Sequence, residues 1–94
     1  MTTERRLLLV EDDASFARTL ARSFERRGYE VRTATGEEGL PALLEDFSPT
    51  HAVVDLKLAG QSSGLTCVQH LHEHDPDIVI VVLTGYASIA TAVE

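Results

Sequence analysis

Lysine and cysteine are almost missing from this 94-residue chain, each occurring once, as Lys57 and Cys67. A single cysteine excludes an internal disulfide and fits a reducing compartment. No apolar run approaches the roughly 20 residues needed to span a bilayer. The stretch from Met1 to Arg6 is too short and polar for a secretory leader. A cytoplasmic location is therefore expected. Bases are scarce as well: eight against fifteen acids give a formal charge of −7. Binding to phosphate backbones or anionic lipid needs a basic surface, so neither nucleic acid nor membrane is an expected direct partner. Low-complexity segments and linkers are also lacking, which leaves one small domain, residues 1–94.

What the chain does have is a set of short apolar runs, each ending in polar chemistry. His51-Ala52-Val53-Val54 runs into Asp55, and Leu7-Leu8-Leu9-Val10 runs into Glu11-Asp12-Asp13. Ile78 to Leu83 runs into Thr84-Gly85. Runs of this kind are the habit of strands buried on both faces in parallel sheets. A weaker, alternating strand is expected at Glu30–Ala34, at an edge. Between the runs lie helical patterns. In Ala14–Arg27, Phe16, Leu20 and Phe24 form one stripe, Asp13 or Ser15 is the N-cap, and Gly28 is the left-handed stop. Arg18, Arg22 and Arg26 lie four apart on another face and read as solvated. A second helix is expected from a Thr35 cap to Phe47, with Pro41 forcing a kink or a late start. A third runs from about Gly64 to His74, burying Leu65, Val68 and Leu71, and another begins at Ala87. Strand and helix alternate in the rhythm of βα units. The expected fold is an α/β doubly wound parallel sheet of four strands in the order 2-1-3-4.

In such sheets ligands bind beyond the carboxyl ends of the strands, where the strand order reverses. Glu11, Asp12, Asp55 and Thr84 are expected to converge there. Three acids in sequence repel one another unless a cation neutralises them. A hard, oxygen-seeking ion such as Mg²⁺ suits them, with Asp12 and Asp55 as direct ligands. Glu11 would bind through water and the Lys57 carbonyl would complete the protein's share. Glu11-Asp12-Asp13 alone reads more readily as a solvated acidic turn; Asp55 and Thr84-Gly85 at the neighbouring strand ends turn the reading toward a metal and phosphoryl site.

Three motifs, Leu8-Leu9-Val10-Glu11-Asp12-Asp13, Val53-Val54-Asp55-Leu56-Lys57-Leu58 and Val82-Leu83-Thr84-Gly85-Tyr86, resemble those of two-component response-regulator receiver domains. The run Leu83 to Val93 is similar to the redox-responsive RegA/ActR-type regulators. The resemblance implies a CheY-like, flavodoxin-like fold, Asp55 as phospho-acceptor and Glu11 with Asp12 as the acidic pocket. It further implies Thr84 as switch hydroxyl and a sensor histidine kinase as partner. It does not imply an enzyme. The pattern departs from the family in two ways. Lys57 is the only lysine, so the family's lysine on a fifth strand has no counterpart, and the chain looks truncated before that strand and the last helix. The loop from Asp55 to Gly64 is one residue longer than usual, with Ala59 where proline is common.

Two rival functions stand beside this reading. An aspartate-nucleophile phosphatase commonly has a second aspartate two residues after the nucleophile, where this chain has Lys57. A receiver-like interaction module would act by contacts without taking phosphate; the missing lysine favours it and Asp12, Asp55 and Thr84 oppose it. His70 and His74 lie four apart but no further metal ligand stands near them, and Cys67 reads as a small buried hydrophobe. A strand Ile78–Leu83 at the sheet's edge, without charge, proline or glycine, offers itself to another chain, so self-association through this strand is expected.

Overall fold

A computed structural model describes residues 5–55 and 63–83 of the chain. Lys57, the loop to Ser62, Thr84 and the helix expected from Ala87 lie outside the described residues. Seven elements alternate: β1 (Arg6–Val10), α1 (Ala14–Arg26), β2 (Glu30–Ala34), α2 (Leu40–Phe47), β3 (His51–Asp55), α3 (Ser63–His74) and β4 (Val79–Leu83). The four strands form one parallel sheet in the order β2-β1-β3-β4, as the motif positions require.

The order dictates the layers. The chain steps from β1 to β2 in one direction, then from β2 to β3 and β3 to β4 in the other. Right-handed crossovers therefore put α1 on one face and α2 with α3 on the opposite face. Leu8, Val10, Ala52 and Val54 point into the α2–α3 layer, where Leu40, Leu44, Cys67 and Leu71 meet them. Leu7, Leu9 and Val53 point the other way, toward Ala17 and the flanking Leu20 and Phe24 of α1. Central β1 is thus buried on both sides from Leu7 to Val10, which is why that run is uninterrupted Leu and Val.

Local signals set most of the boundaries. Asp13 caps α1, its Oδ1 accepting the Phe16 N–H at 3.1 Å. Gly28 follows the helix at φ 95°, a conformation glycine adopts without a Cβ penalty. Pro41 resolves as the late start: α2 begins at Leu40 after a left-handed Gly39, and Thr35 does not cap it. A proline in the first turn has no helical acceptor to lose, so the helix forms around it.

Three expectations about burial fail, the first at Phe16, which lies on the α1 stripe expected to bury and is 43% exposed. Leu65, expected in the core, is 59% exposed, and fully buried Cys67 and Leu71 supply the α3 contact instead. Leu65 sits two residues before Cys67, and that rotation carries it away from the sheet. In β4, Val79 and Val81 are 54% and 46% exposed although the strand is wholly apolar. They face the α1 side, where α1 lies mainly over β2 and β1 and leaves a groove of about 190 Å³ between Leu20, Phe24, Tyr29, Val53 and β4. Edge strand β2 is blunted by charge, with exposed Glu30 and Arg32 and a 3.6 Å pair from Arg32 to Asp46.

The unequal burial within α3 predicts unequal mutational costs. Leu71→Ala should destabilise by about 2–5 kcal/mol through lost burial and a residual cavity. Leu65→Ala should stay within about 0.5 kcal/mol, as surface changes do. Urea unfolding of the two variants checks the assignment, and equal costs would contradict it.

Candidate phosphoryl and metal site

Parallel register assembles the site. Leu7 to Val10 of β1 lie opposite His51 to Val54 of β3, one to one. The next step along the two strands places Glu11 beside Asp55, and Asp12 follows in the turn. Ligand-capable atoms of Glu11, Asp12 and Asp55 all lie within 4.8 Å of one another. Among the described residues they are the one group of three or more acidic, histidine or cysteine side chains so close together. Their location is the carboxyl edge between β1 and β3, where the strand order reverses.

The three carboxylates are not equivalent. Asp12 is exposed and Asp55 half-buried, whereas Glu11 is only 4% exposed. The Glu11 backbone N–H donates to the Ala34 carbonyl at 2.8 Å, tying it to β2. Its Oε2 accepts the Asp13 N–H at 3.0 Å, while Oε1 is buried without a hydrogen-bond partner. Burial pushes the Glu11 carboxyl up from 4.5 to about 7. The Asp13 N–H opposes that rise. The neighbouring Asp55 carboxyl and the charge of Asp12 add to the upward push.

This donor set fits a hard divalent cation. An orphaned buried carboxyl oxygen beside two further carboxylates is costly without positive charge, and oxygen ligands of this kind suit Mg²⁺ or Ca²⁺. Thr84 and the Lys57 carbonyl lie outside the described residues. Asp13 was legible as a helix cap, but its second role, donating its backbone N–H to Glu11, was not. An aspartate two residues after a buried glutamate at a strand-to-helix turn is the available signal, and it is weak without the fold.

Elsewhere, His70 does not stand free beside His74: its Nε2 lies 3.2 Å from Glu37 Oε2. Cys67 is fully buried and burial raises its thiol pKa, so it packs as a small apolar side chain.

Comparison with known proteins gives one consistent family. Residues 7–94 match the family model described as "Response regulator receiver domain". The photosynthetic apparatus regulatory protein RegA of Rhodobacter capsulatus is 44% identical over 91 residues, covering 97% of this chain and 49% of that protein. The acid tolerance regulatory protein ActR of Sinorhizobium medicae is 44% identical over 91 residues, covering 96% of this chain and 46% of that protein. The chain thus spans about half the length of these curated relatives. Among solved structures, a Burkholderia pseudomallei response regulator "with a phosphorylated aspartic acid, calcium ion and citrate" superposes with a TM-score of 0.81 at 44% identity. That match covers 96% of this chain and 52% of the other. A CheY-like receiver domain protein from Methanospirillum hungatei gives 0.78 at 32% identity, covering 97% and 72%.

The raised Glu11 pKa sets a pH dependence in metal-free protein. The folded state holds this proton more tightly than the unfolded chain. Its stabilising contribution is complete below about pH 4.5 and is lost as pH rises through about 7. With EDTA present, stability should fall by on the order of 2 kcal/mol between pH 5 and 8. Glu11→Gln should flatten that change. A wild-type profile that rises or stays level over this range, by chemical denaturation, would contradict the burial of Glu11.

Proposed function

The chain belongs to the response-regulator receiver family, and on that premise we propose that Asp55 accepts a phosphoryl group from a phosphohistidine on a sensor histidine kinase. The observation that carries the reading is the meeting of Glu11, Asp12 and Asp55 within 4.8 Å at the strand ends, with one Glu11 oxygen buried and unpartnered. Receiver domains interact with histidine kinases, and the phosphorylated aspartic acid and calcium ion of the Burkholderia regulator support both halves of the assignment.

In the proposed step an Asp55 carboxylate oxygen attacks phosphorus in line with the imidazole nitrogen. An O–P bond forms, the P–N bond breaks, and the leaving nitrogen keeps the electron pair. The chain's own contribution is positioning: β3 projects Asp55 from the sheet edge, and the β1–β3 register holds it beside the acidic pocket. Glu11, Asp12, Asp55 and the Lys57 carbonyl would hold Mg²⁺, which supplies neutralisation of the phosphoryl oxygens when bound. Thr84 is assigned the switch hydroxyl on motif resemblance, answering the new charge on Asp55. Output through a DNA-binding part of a longer, cytoplasmic transcriptional regulator belongs to the same proposal, as does the reading of residues 1–94 as the N-terminal portion of a receiver.

Self-association through β4 is a further part of the reading. Val79 and Val81 are exposed on a strand that ends the sheet among the described residues, and unlike β2 it carries no charge. A second copy that pairs along β4 would bury that edge.

Beryllofluoride, which mimics the acyl phosphate, tests the site. With Mg²⁺ it should raise the melting temperature of the wild type, whereas Asp55→Asn should show no beryllofluoride shift. Mg²⁺ alone should also stabilise the wild type, and Asp55→Asn should weaken that effect. A wild type indifferent to both additions would favour the interaction-module reading. For association, static light scattering should show a dimer or larger species at micromolar concentration and Val81→Lys should dissociate it. A monodisperse wild-type monomer would overturn that part.

A further inference from the structure

The turn joining β1 to α1 is only three residues long, Glu11, Asp12 and Asp13, and both of its ends are pinned. At one end the Glu11 N–H is bound to Ala34 O at 2.8 Å. At the other, Asp13 makes three bonds at once. Its Oδ1 accepts the Phe16 N–H at 3.1 Å, its carbonyl accepts the Ala17 N–H at 2.8 Å, and its own N–H donates to Glu11 Oε2 at 3.0 Å. Asp12 is held between these two anchored points.

We propose that Asp13 is the positioning residue of the acidic site, using the α1 N-cap to aim Glu11 and Asp12. The inference rests on the metal reading above. It adds a residue that would touch neither the ion nor the phosphoryl group. The physical argument is one of occupied and unoccupied lone pairs. Asp13 engages Oε2, which fixes the carboxylate plane and leaves the buried Oε1 without a protein partner in the cluster. The side chain that closes the first turn of α1 and the carbonyl that accepts the Ala17 N–H together hold the Asp13 N–H toward Glu11. A carboxylate hydrogen-bonded in this way is the usual outer-shell support of a metal ligand.

Two substitutions separate cap from charge. Asp13→Asn keeps an N-cap oxygen and removes the charge; Asp13→Glu keeps the charge and removes a good cap. MgCl₂ is titrated calorimetrically into the wild type and both variants, at one pH and well below their melting temperatures. Asp13→Asn should bind Mg²⁺ like the wild type, and Asp13→Glu should bind about tenfold more weakly. The reverse order would show that Asp13 acts through its charge and would overturn the proposal. Equal affinities with a lowered melting temperature in Asp13→Glu would reduce Asp13 to a structural cap, leaving the metal reading intact. A wild type that takes no Mg²⁺ would remove the metal reading, and this inference with it.

Discussion

The one-to-one parallel register of β1 against β3 is the constraint on which the rest depends. It pairs Val10 with Val54, so the first residues to leave the sheet on each strand are carboxylates. A slip of one residue would turn every side chain of a strand to the other face. Leu8, Val10, Ala52 and Val54 would then leave the α2–α3 layer that buries them. The hydrophobic core therefore enforces the register, and the register enforces the site. The carboxylate cluster is a by-product of how two apolar strands align.

The cost of that arrangement falls on Glu11. It leaves the strand while still within the protein's shell, tied to β2 on one side and to Asp13 on the other. A carboxylate in that position without a cation holds its proton near neutral pH, as its raised pKa of about 7 reflects. Folding stability and readiness for a cation are thus opposed in the free protein, a common bargain where function requires clustered charge. The opposition is contained because only Glu11 is buried; Asp12 remains exposed to solvent.

The two sides of the sheet divide the remaining work. The α2–α3 layer closes over β1 and β3 with Leu40, Leu44, Cys67 and Leu71 and supplies a continuous core. The α1 layer is narrower, so the β4 side of that face stays open around Val79 and Val81. At the opposite end of the strands from the acids, Tyr29 packs edge-on to Phe24 and His51, at 5.6 and 5.3 Å between ring centres. That cluster anchors the start of β2 to β3 across β1 and is remote from the chemistry.

The four strands and the meeting of Glu11, Asp12 and Asp55 were legible in the sequence. Uninterrupted apolar runs mark strands of a parallel sheet, and the acidic motifs at their ends, with the receiver resemblance they carry, supplied the order by requiring β1 beside β3. Glu30–Ala34 was legible as an edge strand because charge alternates along it. Tertiary structure alone decided the degree of burial. Leu65 obeys helical spacing as well as Leu71 does, yet only the placement of α3 on the sheet selects Cys67 and Leu71 for the core. Val79 and Val81 have the composition of buried residues, and only the reach of α1 leaves them exposed. The same holds at the site: consecutive acids look alike in one dimension. Which is buried, and which N–H holds it, depends on how far the turn into α1 lies beneath the protein surface.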